Sequence, residues 1–170
     1  GGVGIFGTGV TLNDQSSVTG NLGRGISALE ASVHLNDNSS VAQNQGGGVF
    51  VEFGGRVIMT GASSIRENAT AGDGGGIHVG SQSGVIMNGT STIAGNRASF
   101  GGGIFLSGEP DPGDPSSTFV ILNDTTTITR NTATGGQGGG IYKVGGMVTL
   151  NDASSITGNI PDNCYPPGTC

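Results

Sequence analysis

The chain has 170 residues, 36 of them glycine, with 33% hydrophobic residues and a formal net charge of −6. That glycine share is far above the roughly 7% of ordinary globular domains, yet collagen's strict triplet period is missing and the apolar content is too high for disorder. The acidic balance, with no basic cluster, argues against nucleic acid as a partner, and no run of about 18 apolar residues exists to span a membrane.

In chain order, three kinds of short apolar segment recur six times. The first follows a glycine run and is led by Ile5, Ile26, Val49, Ile77, Ile104 and Ile141. The second reads VTL, VHL, VIM, VIM, VIL and VTL, anchored by Leu12, Leu35, Met59, Met87, Leu122 and Leu150. The third reads SSV, SSV, SSI, STI, TTI and SSI, anchored by Val18, Val41, Ile65, Ile93, Ile128 and Ile156. Each is rich in β-branched residues and bounded by turn formers, which predicts a short strand. One such unit cannot bury its own apolar residues, so copies must stack.

The repeat spacing runs from 21 residues (Ile5 to Ile26) to 37 (Ile104 to Ile141), with insertions falling only between strands. The longest, Ser107 to Ser117, contains three prolines and must loop out. Leucine-rich repeats lack this pattern, and propeller blades need four strands. The predicted fold is therefore all-β: a right-handed, single-stranded parallel β-helix (a solenoid) of six coils with three short strands per coil. Residues 1–160 form the repeat domain and 161–170 a C-terminal cap rich in proline.

Two asparagine columns accompany the strands. Asn21, Asn44, Asn68, Asn96, Asn131 and Asn159 follow the third strand, and Asn13, Asn36, Asn88, Asn123 and Asn151 follow the second, with Thr60 in the remaining place. Stacked amides can hydrogen-bond from coil to coil as a ladder. Asparagine also tolerates the left-handed backbone of a sharp corner, and the glycine runs are expected to serve the third corner in the same way. Asn38, Asn68, Asn88 and Asn123 lie in N-x-S/T sequons, which such a composition generates unaided.

Cys164 and Cys170 lie close together and are expected to form a disulfide, which implies an oxidising compartment. The chain opens within the repeat, with Gly2-Val3-Gly4-Ile5 in the glycine-run register. A first coil of that kind is expected to stack on upstream coils or on a neighbouring subunit.

Alternation of side chains directs Phe6, Phe50, His78, Phe105 and Tyr142 outward from the first strand, and Ile58, Ile86 and Ile121 outward from the second. These two stripes are the candidate interaction surface. Asp14, Asp37, Asp124 and Asp152 share one turn position, separated into two pairs by Gly61 and Gly89. Stacked carboxylates resemble a glycosidase pair, but Asn-Asp is ordinary turn chemistry, so no catalytic residue is assigned. His34 and His78 fall in different coils, against a zinc site. Glu109, Asp111 and Asp114 in the inserted loop offer oxygen ligands for calcium, with a solvated loop as the alternative. No other cofactor is expected.

The glycine run leading into an apolar residue, with an asparagine after the third strand, resembles the GGAI and FxxN repeats of chlamydial polymorphic outer-membrane proteins. It is similar to the right-handed β-helix repeats of many bacterial surface proteins. The FxxN element stands here as Ile65-x-x-Asn68, Ile93-x-x-Asn96 and Ile128-x-x-Asn131, without phenylalanine. The resemblance covers nearly the whole chain and implies an extracellular or surface-displayed bacterial adhesin or passenger. The expected function is a non-enzymatic adhesin, stalk or assembly module whose partner is a protein or glycan at the cell surface, or a neighbouring subunit. The rival is a carbohydrate-binding or carbohydrate-active β-helix.

Overall fold

The structure, a computed structural model, describes residues 1–108 and 118–170. Among the described residues every regular element is a strand, and the strands form three long parallel sheets. The first sheet takes Val3–Phe6, Ile26–Leu29, Val49–Glu52, Ile77–Val79, Ile104–Leu106, Ile141–Lys143 and Cys164–Tyr165 in that order. The second takes Gly9–Leu12, Ser32–Leu35, Arg56–Met59, Gly84–Met87, Phe119–Leu122 and Met147–Leu150. The third takes Ser17–Thr19, Ser40–Ala42, Ser64–Arg66, Thr92–Ala94, Thr127–Thr129 and Ser155–Thr157. The chain visits the three sheets in turn and returns one strand further along each time, which is the topology of a solenoid.

Period-two alternation gives each coil its inward residues. In the fourth coil Ile77 and Val79 point in from the first sheet, Val85 and Met87 from the second, and Ile93 from the third; all five are fully buried. Equivalent residues above and below extend this into one continuous apolar column. Burying a side chain of this size stabilises by about 1.5–3 kcal/mol, so the column is the principal source of cohesion. Ile5, Val10 and Val18 at one end, and Val148 and Ile156 at the other, are only partly buried.

The first coil corrects one expected register. Val3, not Ile5, pairs with Ile26, and Ile5 pairs with Ala28. Both residues point inward, so alternation alone cannot choose between them. The spacing can: Val10 pairs with Val33 and Val18 with Val41, each 23 residues apart, and only Val3 with Ile26 keeps that length.

The corners correct a second expectation. Among the described residues no asparagine has a positive φ. The left-handed residue stands beside it: Gly20, Gln43, Glu67, Gly95, Arg130 and Gly158 immediately precede the first asparagine column. Asp14, Asp37, Gly61, Gly89, Asp124 and Asp152 immediately follow the other column, at φ between 54° and 72°. The asparagine is thereby freed to turn its amide along the stack. Nδ2 of Asn44, Asn68, Asn96 and Asn131 donates to Oδ1 of the next column member at 2.9–3.0 Å and to a carbonyl of the coil before. The same Oδ1 also accepts the backbone N–H of the preceding asparagine. Every polar atom of these buried amides is matched, as the interior demands.

The glycine runs serve two ends. Gly101 has φ of 61° and makes the corner. Gly76 has an ordinary φ but no room: a Cβ there would lie 2.5 Å from the Gly103 carbonyl oxygen and 2.8 Å from Cγ2 of Ile93. Close approach, not a left-handed backbone, is the reason for the last glycine of the run. Arg97–Phe100 and Thr132–Gln137 add a short fourth parallel pair to the fourth and fifth coils, where the connection into the first sheet is longer.

At the C-terminus Cys164–Tyr165 continues the first sheet as a seventh strand, and Cys164 is bonded to Cys170. Residues 161–170, expected as a cap, thus add a strand to the first sheet. Asn163 ends the asparagine ladder by accepting Nδ2 of Asn159 at 3.2 Å.

Candidate functional site

The outward column of the first sheet is the most organised surface of the molecule. Register places Ser27, Phe50, His78, Phe105, Tyr142 and Tyr165 in one row. Strand spacing brings their rings to stacking distance. Centroids are 4.8 Å apart for Phe50 and His78, 5.1 Å for His78 and Phe105, 5.5 Å for Phe105 and Tyr142, and 5.2 Å for Tyr142 and Tyr165. Phe100 leans on Tyr142 from the short fourth pair. Arg24 closes the other end, its guanidinium carbon 3.8 Å from the Phe50 centroid, a cation–π contact.

Four of the five expected aromatic positions are brought together here, and Phe6 is not. It pairs with Leu29 two residues along the strand and is 69% exposed. The misplacement follows from the first-coil register: moving Ile5 by two residues moves Phe6 with it. Tyr165 and Arg24 join the row without a sign in the sequence. Tyr165 sits in a two-residue strand without the glycine lead, and Arg24 lies in a corner that carries no repeat signal.

Stacking has a chemical consequence. Parallel rings present their faces to one another and their edges to solvent, so sugar-face stacking is open only at the ends of the row. Ring edges carry the positive side of the aromatic quadrupole, suited to carbonyl and carboxylate oxygens. Beside Phe50 a small groove is lined by Arg24, Thr70, Asp73 and His78. Burial between the rings pushes the His78 imidazole below its usual range, and Arg24 pushes the same way; a hydrogen bond with the Asp73 backbone and the charges of Glu52 and Asp73 oppose it. The neutral form is therefore favoured in the stack.

The second stripe has the expected register. Thr11, His34, Ile58, Ile86, Ile121 and Thr149 form one row, with the three isoleucines half-buried. Beside them the Phe119 ring lies over Gly84, where a Cβ would collide with it, and Arg56 stacks at 5.0 Å from the same ring. On the third sheet, Arg66 and Glu67 form an ion pair at 3.5 Å.

The four aspartates of the shared corner each hold a left-handed backbone. Asp37 accepts the backbone N–H of Asp14, Asp124 that of Gly89, and Asp152 that of Asp124, at 3.2, 2.7 and 3.1 Å. Turn chemistry accounts for all of them. Glu109, Asp111 and Asp114 lie outside the described residues, and among the described residues no group of three metal-ligating side chains converges. His34 and His78 stand on different sheets. No protein-family model, curated protein or solved structure matches the chain.

Proposed function

We propose that the chain is a right-handed, single-stranded parallel β-helix of six coils that serves as a non-enzymatic stalk and docking module outside a bacterial cell. The observation that carries this reading is that the repeated side chains bond their own copies in adjacent coils. Asparagine amides bond asparagine amides, corner carboxylates bond corner N–H groups, and aromatic rings stack on aromatic rings. Such a surface is rigid along its whole length, as a spacer requires. Right-handed coiling follows from the chirality of parallel crossovers. The Cys164–Cys170 disulfide supports an oxidising, extracellular location. No helix among the described residues is long and apolar enough to cross a membrane.

The docking row is Arg24, Phe50, His78, Phe105, Tyr142 and Tyr165, and its partner is a protein surface offering carbonyl and carboxylate oxygens to the ring edges. The rival is a carbohydrate-active solenoid working through the open corner of Asp14 and Asp37. Beads carrying the chain are to be presented with acidic-protein-coated and glycan-coated surfaces, beside a Phe105→Ala/Tyr142→Ala variant. Retention on protein that the double variant loses is the expected result. Retention on glycan alone, or release of unsaturated or reducing ends from acidic polysaccharides, overturns the proposal in favour of the rival.

A further inference from the structure

Of the thirteen asparagines in the chain, only Asn88 precedes a glycine. Asn-Gly is the pair most prone to deamidation, because glycine places no side chain in the way of the attacking backbone nitrogen. Here both partners in that reaction are held. The Gly89 N–H donates to Oδ2 of Asp124 at 2.7 Å, and Oδ1 of Asn88 accepts Nδ2 of Asn123 at 2.9 Å. The backbone on either side is pinned as well, by Asn88 N–H on the Met59 carbonyl at 2.9 Å and Thr90 N–H on the Gly61 carbonyl at 2.8 Å.

We propose that Asn88 is a latent deamidation site, kept unreactive in the folded chain by the Asp124 carboxylate. In the reaction the Gly89 nitrogen bonds to Cγ of Asn88 and the Cγ–Nδ2 bond breaks. The proton of the Gly89 amide passes through solvent to the departing nitrogen, which leaves as ammonia. Water then opens the succinimide at either carbonyl, giving aspartate or isoaspartate. For that attack the nitrogen must give up Asp124 and turn toward Cγ; the bond to Asp124 is the direct restraint, while the bonds of Asn88 and Thr90 run to the third coil and only limit the swing. Opening of the fifth coil from the fourth releases Asp124 and Asn123 together, since both belong to the fifth. Deamidation of Asn88 is thus a permanent covalent record of that opening.

The test is peptide mapping by mass spectrometry of the whole chain after incubation at neutral pH. Native protein should deamidate at Asn88 at least about tenfold more slowly than the same chain in urea, the weight of one hydrogen bond to a charged acceptor. In native buffer Asp124→Gly, which suits the left-handed corner, should react about tenfold faster than the parent. Asp152→Gly, the same change one coil on, should leave the Asn88 rate unchanged. Should D124G lose its β spectrum, Asp124→Asn keeps an oxygen acceptor without the charge and should react a few-fold faster than the parent, yet clearly more slowly than the unfolded chain. An Asn88 rate in folded D124G equal to or slower than the parent overturns the proposal, as does equal reaction of native and unfolded chains or an unprotected, folded D124N.

Discussion

The side-chain amide and the backbone N–H of Asn96 both donate to one oxygen, Oδ1 of Asn131, each at 2.9 Å. Oδ1 of Asn96 in turn accepts the same two donors from Asn68. Removing the side chain therefore takes an acceptor from the backbone N–H and side-chain amide of Asn68, the amide keeping its bond to the Val41 carbonyl, and a donor from the Ile65 carbonyl. Asn96→Ala should cost about 3 kcal/mol or more in urea unfolding, whereas Asn21→Ala, at the half-buried end of the ladder, should cost about 1 kcal/mol. Ser63 supplies the contrast, since its hydroxyl is buried without a partner. Ser63→Ala should be neutral or slightly stabilising. Equal losses at positions 96 and 21 would sink the argument.

Gly76 and Gly95 look alike in sequence but differ in what they need. A Cβ on Gly76 would strike backbone of the next coil, while one on Gly95 meets nothing closer than 3.8 Å. Gly76→Ala should cost about 3 kcal/mol, at the upper end of overpacking. Gly95→Gln should cost only about 1 kcal/mol, because Gln43 already occupies the same left-handed position two coils earlier. The shift in urea midpoint at unchanged slope is the measurement.

His78 predicts an acid sensitivity. Burial holds its folded pKa below the ordinary 6.5. The unfolded chain then binds the proton more readily, so the stabilising term is fully present above pH 6.5 and is lost as pH falls through the lower folded value. The melting temperature should decline on going from neutral to about pH 5, within the span where histidine titrates ahead of most carboxylates. His78→Phe, which keeps the ring stack, should remove most of that decline. A variant that declines as steeply as the parent would place the sensitivity elsewhere.

The Cys164–Cys170 bond closes a loop with a separation of 6 residues. A loop that short contributes about 2 kcal/mol in the chain-entropy account. Neither cysteine should be alkylated without reductant. Reduction should raise hydrogen exchange at Cys164 and Tyr165, which pair with Ile141 and Tyr142, while leaving the central coils unchanged.

The sequence displayed the strands, their order and both asparagine columns because each recurs five or six times and repetition exposes a pattern. It concealed the places where one residue type answers two needs. Val3 and Ile5 both point inward, so only the 23-residue spacing shared with Val10 and Val33 decides which one leads. Glycine in the runs reads the same whether a corner (Gly101) or a close contact (Gly76) requires it. Asparagine and its left-handed neighbour are adjacent, so the sequence alone does not say which of the two makes the corner. Arg24 and Tyr165 belong to single coils and the short fourth pair to only two, and a feature with so few copies leaves no periodic trace.

The two amide ladders run in opposite senses. After the third strand each amide donates toward the later coil, as Asn44 does to Asn68; after the second strand it donates toward the earlier one, as Asn151 does to Asn123. The amide-to-amide bonds at the two corners therefore point opposite ways along the stack. A stack built this way has a fixed donor-to-acceptor sense at each corner. It also offers an arriving coil an acceptor at one corner and a donor at the other, so a coil seated upside down would find like facing like.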